Sequence, residues 1–474
     1  MADGKLPTNR MQRLARVGGT AAGQAVKRAG TRAANVARSE QAASAAMDRR
    51  QLEAAEQIVT VLGGMKGAAM KIGQVLSFVD LGVVPPEYRD RFQAKLATLR
   101  DAAPTVSFER MRALIEADLE RPISDAFTEF DPEPIAAASI GQVYRASLAD
   151  GRDVAVKVQY PGISDAVRAD MKNLGILLRL LKTMTPELDM KAVGAEIRER
   201  IVEELDYELE ASNQRTMARL YDGHPFIVVP AVVTPLCRER VIVTELVSGD
   251  GFETLRDEPE AERDRIGEIV FRFYFGSMYR HRRFSGDPHP GNMIRLSGGR
   301  VAFLDFGLFK SISAEVAELE LACQRATVEG RARDLHSMMS AAGFLPRGDR
   351  LDPDRLLEFV GDAIWWYTTD EPVRIDQAIV NRAFIQTTDP RSTHYATARM
   401  QDIVPEHLFG RRLELLTLAV LGQLNAAGNW HRIAREWIYG DEPVTELGRA
   451  EAEFLAAASS GRRPPASGSS GRSS

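Results

Sequence analysis

The chain has 474 residues, 44% of them hydrophobic and 27% charged, which is enough apolar sequence to build a large core. Its net charge of −5 excludes a general nucleic-acid binder. The two cysteines, Cys237 and Cys323, give neither a disulfide framework nor a metal-ligand spacing. We find no secretory signal and no apolar run of the ~18 residues that a membrane-spanning helix needs. A cytoplasmic protein is therefore expected, with membrane association left open.

The N-terminal part divides by composition. Residues 1–45 combine small residues with Arg and Lys, which indicates a flexible basic leader. An amphipathic helix on an anionic membrane surface is the alternative, although large apolar anchors are scarce there. Residues 46–130 show helical periodicity and predict a helical extension. Its end is placed near three prolines, Pro122, Pro132 and Pro134.

The remaining sequence changes from strand-like to helical character. Within 131–250, strands are expected at 139–147, 153–159, 227–233 and 240–246, and helices at 164–184 and 191–221. Residues 251–457 are mainly helical with a strand–loop–strand piece at 284–309, and 458–474 predict a disordered tail. The aromatic run Trp365-Trp366-Tyr367 is interpreted as core rather than as a membrane-contacting patch. This order predicts an α+β protein with a small strand-rich lobe, a larger helical lobe and a ligand cleft between them.

Three motifs along the chain contain residues suited to catalysis or ligand binding. The first is Lys157, which ends the apolar run Ala155-Val156 and needs a phosphate or carboxylate partner if it is buried. By itself the motif is weak and is better explained as a strand lysine that turns outward.

The second motif is the hexapeptide 287–292, with the sequence Asp-Pro-His-Pro-Gly-Asn. Its prolines stiffen a loop that holds Asp287 and Asn292 at a fixed separation, as phosphoryl transfer requires of a carboxylate and a metal-binding oxygen. A zinc site at His289 is not favoured, because only His281 lies near it in the sequence.

The third motif is Asp305-Phe306-Gly307, which follows the apolar run 301–304. An aspartate at the end of a strand can bind Mg²⁺ that bridges nucleotide phosphates, although such a residue can also cap a turn. A strand lysine, Asp-x4-Asn and Asp-Phe-Gly form, in this order, the protein-kinase signature set.

Two departures from ordinary kinases are informative. The segment that should hold the phosphates is rich in alanine and keeps only Gly141, so we expect a stiffer loop than a glycine-rich one. The glutamate expected to pair with the lysine is displaced far along the chain, to Glu210.

With these departures and two more motifs, the sequence resembles the UbiB/AarF atypical kinases, which are linked to quinone lipid metabolism. The additional motifs are Lys71-Ile72-Gly73-Gln74 (K-x-G-Q) and Glu204-Leu205-Asp206 (E-x-D). The resemblance implies a two-lobed protein-kinase-like fold with the N-terminal helical extension packed over the cleft.

The resemblance also implies ATP and Mg²⁺ as cofactors. Lys157 would contact the α and β phosphates and pair with Glu210, Asp287 would be the catalytic acid, and Asn292 and Asp305 would hold Mg²⁺. The nucleotide-binding set would be Ala136, Ala137, Ala138, Ser139, Gly141, Lys157 and the backbone near Glu245 and Val247. The motifs that close the cleft would be Lys71, Gly73, Gln74, Glu204 and Asp206.

A covered cleft obstructs protein substrates. ATPase or small-molecule chemistry in support of isoprenoid-quinone or other lipid metabolism is therefore expected, rather than protein phosphorylation in trans. A lipid or quinone-precursor ligand and peripheral membrane contact would fit this interpretation. The alternatives are a small-molecule phosphotransferase of the aminoglycoside or choline kinase sort, and a non-catalytic module gated by ATP.

Overall fold

The computed structural model describes residues 106–460, apart from 139, 185–193, 196–197, 199–200, 347–349, 389–391, 399 and 402–404. The basic leader, the helical extension up to residue 105 and the C-terminal tail lie outside the described residues, as do Lys71, Gly73, Gln74 and Ser139. The chain divides into two compact units, and the predicted domain bounds remain predictions.

The first unit combines helices with an antiparallel sheet. Its elements are α1 (Phe108–Leu119), α2 (Ile123–Ala126), β1 (Glu129–Ala137), β2 (Gly141–Ser147), β3 (Asp153–Gln159) and α3 (Ile163–Met184). The sheet order is β1-β2-β3-β5, where β5 is Val241–Glu245 and its first three residues belong to this unit. The predicted strands at 139–147 and 153–159 are thus confirmed.

The sheet buries one face of its central strands. Tyr144 on β2 and Val154, Val156 and Val158 on β3 are fully buried, as period-2 alternation of apolar residues predicts. The helix α1 is joined to the sheet by Asp118, whose carboxylate accepts hydrogen bonds from the backbone N–H and the guanidinium of Arg240.

Pro132 and Pro134, which were expected near the end of the helical extension, both lie inside β1. β1 is the edge strand of the sheet, where a residue without an N–H is tolerated. Its register with β2 shifts on either side of Pro134, which is consistent with a local bulge.

The helix predicted over 191–221 is wrong as a single element. Residues 201–204 are helical, but the helix is interrupted at Leu205 and Asp206 before α4 (Tyr207–Leu220) begins. At the break, backbone groups form hydrogen bonds with residues distant in sequence instead of helical hydrogen bonds. The Leu205 carbonyl accepts from the Gln159 side chain at 2.8 Å, and the Tyr207 N–H donates to the Glu239 carbonyl at 2.9 Å.

The second unit contains most of α4, a four-stranded sheet, two two-stranded sheets and most of the remaining helices. The sheet order is β4-β9-β8-β6, and β7 pairs with β10. The strands are β4 (Ile227–Val228), β6 (Asp250–Gly251), β7 (Arg283–Ser285), β8 (Met293–Arg295), β9 (Val301–Phe303), β10 (Phe309–Ser311), β11 (Val373–Arg374) and β12 (Ala427–Gly428). The strand predicted at 227–233 is therefore shortened to two residues.

The helices of the second unit are interspersed with these strands along the chain. They are α5 (Phe252–Leu255), α6 (Glu260–Phe271), a π-helix (Arg272–His281), α7 (Ala314–Val328), α8 (Ala332–Ala341), α9 (Pro353–Ile364), α10 (Gln377–Thr388), α11 (Tyr395–Ala398), α12 (Pro405–Leu424), α13 (Trp430–Ile438) and α14 (Glu446–Ser459). Residues 385–388 of α10 and Tyr395 of α11 belong to the first unit. No helix among the described residues is long and apolar enough to cross a membrane.

The core of the second unit is rich in aromatic side chains. Phe271 and Phe275 are fully buried and pack with Trp366, Tyr367 and Trp430 at ring separations of 4.4 to 6.4 Å. Edge-to-face and tilted rings in this range add to the free energy of burial. The interpretation of Trp366 and Tyr367 as core residues is confirmed.

A buried ion-pair network joins the π-helix to the C-terminal helices. The side chain of Arg272 is fully buried and forms ion pairs with Glu268, Glu436 and Glu451 at 2.7 to 2.9 Å. Arg280 pairs with Glu436 and Glu451 as well. This network connects α6, the π-helix, α13 and α14.

Candidate functional site

The alanine-rich segment forms a β-hairpin rather than an open loop. Ala136 and Ala137 belong to β1 and pair with Val143 and Gln142 of β2, and their assignment to nucleotide binding stays a prediction. The tip is closed by a hydrogen bond from the Ala138 N–H to the Gly141 carbonyl at 2.8 Å. Ladder hydrogen bonds satisfy the backbone on both sides of the tip, and the expected stiffness of this segment stays a prediction.

Gly141 is required by a close approach of two strands. A Cβ atom at this position would lie 2.1 Å from the backbone oxygen of Val158, a distance at which something must shift. Gly141 also pairs directly with Gln159 on β3. The single glycine of the segment therefore holds the hairpin tip against the strand that carries Lys157.

We expect Gly141→Ala to destabilise the first unit by about 1–3 kcal/mol, because the added methyl group overpacks backbone against backbone. Hydrogen–deuterium exchange of the β2 and β3 amides should be faster in this variant. Gly251→Ala is the control, since nothing lies within 4 Å of a Cβ at that position. Equal exchange in the two variants would contradict the close approach.

Lys157 lies on β3 with an aromatic neighbour. It is partly buried, and its Nζ is 5.0 Å from the centroid of the Tyr207 ring, within the range of a cation–π interaction. Tyr207 is buried and begins α4 directly after the E-x-D motif. Lys157 lies on the face of β3 opposite the buried Val156 and Val158, and its role as a phosphate ligand stays a prediction.

The E-x-D motif occupies the helix break. Glu204 is the last helical residue before it, and Asp206 lies between the two helices, each partly buried. Asp206 and Glu210 therefore do not belong to one regular helix, because Asp206 precedes the first residue of α4. Gln159 was not predicted as a structural residue, yet it is fully buried and donates to the carbonyls of Leu205 and Glu239 across the break.

In the second unit the hexapeptide 287–292 forms a compact loop between β7 and β8. Asp287 is 7% exposed, and the 3₁₀ turn Pro290–Asn292 follows it. The imidazole Nδ1 of His289 accepts from the Gly291 N–H at 3.0 Å, so this histidine caps the turn. The prolines and His289 together fix the separation of Asp287 and Asn292, as the sequence predicts.

The Asp-Phe-Gly loop is held against the hexapeptide by backbone contacts. The Leu304 N–H donates to the Asn292 carbonyl at 3.0 Å, and the Ser285 hydroxyl donates to the Asp305 carbonyl at 3.1 Å. One oxygen of the Asp305 carboxylate accepts from the Gly307 N–H at 2.9 Å. The structure therefore brings the loops of Asp287, Asn292 and Asp305 together within one unit.

Tyr274 is a site residue that sequence reasoning missed. Burial raises the pKa of Tyr274 well above its ordinary value, and the nearby carboxylates of Asp287 and Asp305 raise it further. The same residue hydrogen-bonds to the backbone of His289. Tyr274 is therefore a neutral, buried side chain within electrostatic range of both carboxylates. It belongs to an aromatic run that patterning alone assigns to the core.

The helix α4 is joined to the same loops. Its Asn213 side chain donates to the Phe306 carbonyl at 3.2 Å. Glu210, one turn earlier, is 4% exposed, and a carboxylate at that depth is costly unless it is paired or hydrogen-bonded. At the end of β5, the Glu245 N–H donates to the Ala231 carbonyl at 2.8 Å, and Val247 follows in irregular backbone.

The donor set suits a hard divalent cation. Asn292 and Asp305 offer carboxamide and carboxylate oxygens, the ligand type that Mg²⁺ prefers. In the described part of the chain, no group of three or more His, Cys, Asp or Glu is placed to hold a metal by itself. Mg²⁺ that is bound together with nucleotide phosphates needs only one or two protein carboxylates, so these residues fit Mg–ATP.

The fold and the motif order define a protein-kinase-like protein. Residues 98–339 match the family model described as the ABC1 atypical kinase-like domain. The chain belongs to this family, and the predicted UbiB/AarF type is confirmed.

Named relatives agree with this assignment. The chain is 32% identical over 290 residues to the Arabidopsis thaliana protein ACTIVITY OF BC1 COMPLEX KINASE 8, chloroplastic, with 59% of this chain and 37% of that protein covered. It is 31% identical over 277 residues to the rat atypical kinase COQ8B, mitochondrial, covering 58% and 52%. The chain thus spans about half or less of the length of these curated relatives.

One solved structure is matched over nearly its whole length, unlike the two curated relatives. It is the complex of Rv3197 with erythromycin from Mycobacterium tuberculosis, with a TM-score of 0.61 and 30% sequence identity. The match covers 85% of this chain and 99% of that one, and it confirms the protein-kinase-like fold class.

Proposed function

We propose that the chain is an atypical kinase or ATPase that binds Mg–ATP and supports isoprenoid-quinone or other lipid metabolism. The observation that carries the proposal is the packing of Asp287, Asn292 and Asp305 into two bonded loops beside Tyr274. A carboxylate for the acceptor and two oxygen donors for Mg²⁺ are the parts that phosphoryl transfer needs.

In this proposal each residue of the second unit has one task. Asn292 and Asp305 hold Mg²⁺, and bound Mg–ATP supplies the transferable phosphoryl group. The carboxylate of Asp287 orients the attacking hydroxyl or water and accepts its proton. Tyr274 stays protonated and fixes the position of the two aspartates. The backbone near Glu245 and Val247 holds adenine.

The first unit supplies the remaining contacts. Lys157 contacts the α and β phosphates and pairs with Glu210, and the hairpin tip with Ala138, Ser139 and Gly141 lies over the phosphates. The K-x-G-Q residues Lys71, Gly73 and Gln74 act with Glu204 and Asp206 to limit access. Restricted access favours water or a small acceptor over a protein substrate.

A role in lipid or quinone metabolism is proposed from family membership. The named relatives include mitochondrial and chloroplastic atypical kinases, and the basic leader offers a means of contact with an anionic membrane surface. A quinone precursor or another lipid is the expected ligand besides ATP.

The test is Mg²⁺-dependent ATP hydrolysis by the purified full chain, with and without vesicles that contain anionic lipid. Turnover that needs Mg²⁺ and rises with vesicles is expected. ATP binding without turnover in either condition would replace the ATPase with a nucleotide-gated module. Absence of both binding and turnover would overturn the proposal.

A second candidate is a small-molecule phosphotransferase. The observation that favours it is the match to Rv3197, whose structure was determined with the small molecule erythromycin. Magnesium-dependent phosphorylation of a soluble hydroxyl compound, with no response to vesicles, would favour this candidate over the lipid-linked one.

A further inference from the structure

A groove of about 530 Å³ lies in the second unit, and none of the residues assigned to Mg–ATP lines it. One side is formed by the end of α4 and the other by the two-stranded sheet β7–β10. The lining residues are Thr216, Arg219, Leu220, Arg283, Phe309 and Ser311. Its volume falls within the range of small-molecule pockets.

The lining combines positive charge with apolar surface. Arg219 and Arg283 contribute guanidinium groups from opposite sides, and such groups match carboxylate and phosphate oxygens in a two-bond geometry. Arg283 is exposed and forms no ion pair with a carboxylate in the part of the chain that the structure describes. Leu220 and Phe309 offer apolar contact beside these charges. The chemistry fits an anionic group on an apolar body.

The two-stranded sheet that lines the groove also contacts the acidic loops. Arg283 pairs with Ser311, and Ser285 pairs with Phe309, so these four residues share one face of the sheet. Ser285 contacts the Asp305 carbonyl, and Arg283 lies two residues earlier, about 7 Å along the strand. On the opposite side, α4 carries both Arg219 and Asn213, whose side chain bonds Phe306. A ligand in the groove would therefore bridge both elements that hold the Asp-Phe-Gly loop.

We propose that this groove binds a small amphiphilic anion, a phosphate or carboxylate attached to a body about the size of one ring. The oxyanion contacts Arg219 and Arg283, with the Ser311 hydroxyl as a further donor. The apolar body lies on Leu220 and Phe309. This site is separate from the Mg–ATP residues and does not depend on the function proposed for them.

The test is calorimetric titration of the full chain with phenyl phosphate at about 0.15 M ionic strength, where long-range charge effects are screened. Saturable binding is expected, at least about fivefold tighter than that of inorganic phosphate, because the ring adds apolar contact. Arg283→Gln should weaken binding at least about tenfold. Arg219→Gln should do the same from the other side of the groove.

Arg282→Gln is the matched control. Arg282 is the exposed neighbour of Arg283, does not line the groove and acts electrostatically on Glu315. Its substitution removes the same charge and should change the affinity less than about twofold. Equal weakening by Arg282→Gln and Arg283→Gln, or no saturable binding up to about 10 mM, would overturn the site. The titration measures binding in the absence of ATP. Its result therefore decides whether the groove is a binding site even if the protein proves not to be an ATPase.

Discussion

The substitution Asp305→Asn is expected to lower Mg²⁺-dependent ATP turnover at least about 100-fold, which corresponds to about 2.7 kcal/mol of transition-state stabilisation. Replacing the carboxylate by a carboxamide removes the negative charge that would hold Mg²⁺. The amide oxygen can still accept the Gly307 N–H, the bond that Asp305 makes in the structure at 2.9 Å. The loop should therefore keep its shape while the chemistry is lost.

Thermal unfolding of the variant separates the two effects. The transition should lie within a few degrees of that of the unsubstituted chain, since the hydrogen bond to Gly307 is retained. Asp257→Asn is the control, because Asp257 is an exposed aspartate outside the site and its substitution should leave turnover unchanged. Turnover by Asp305→Asn close to that of the Asp257 variant would remove Asp305 from the metal site.

Local patterns predicted the parts of the fold that depend on neighbouring residues. The strands β2 and β3 follow from alternating apolar residues, and the turn at Gly151 has the positive φ of 85° that glycine favours. The loop of Asp287 follows from its prolines. In each case the residues that determine the local structure belong to that strand, turn or loop.

Features that depend on distant residues were not predictable in the same way. The helix break at Leu205 and Asp206 requires Gln159 and Glu239, whose groups replace the missing helical hydrogen bonds. β1 keeps its prolines because the tertiary fold places it at the edge of the sheet. In the sequence, Tyr274 is indistinguishable from the other aromatic core residues. Only the fold shows that it is within electrostatic range of Asp287 and Asp305.

The buried network around Arg272 was invisible in the sequence for the same reason, since its members are spread over residues 268–451. We expect Arg272→Met to lower the free energy of unfolding of the second unit by about 3–5 kcal/mol. Methionine fills a similar volume, but the buried carboxylates of Glu436 and Glu451 then lose one guanidinium and are left with Arg280 and, at Glu451, the His224 imidazole.

Urea unfolding at pH 7, followed by tryptophan fluorescence, measures this loss. All four tryptophans, Trp365, Trp366, Trp430 and Trp437, belong to the second unit, so the signal reports on it directly. Arg432→Met is the control, because Arg432 forms an exposed ion pair with Asp370, and pairs of this kind contribute about 0–1 kcal/mol. Equal losses in the two variants would contradict a stabilising role for the buried network.

In Arg272→Met the negative charge of Glu451 loses one of its partners. The substitution Glu451→Gln tests the effect of this charge separately. Burial would raise the pKa of Glu451, but His224, Arg280 and Arg272 outweigh it and hold this pKa at about 2, below the ordinary value of 4.5. The carboxylate therefore stabilises the fold fully above about pH 4.5, and this contribution is lost as the pH falls towards 2. At pH 7, Glu451→Gln should destabilise the unsubstituted chain but cost less, or restore stability, in Arg272→Met, where it removes a charge that has lost one partner. Additive losses would mean that Arg272 stabilises the unit through packing rather than through charge.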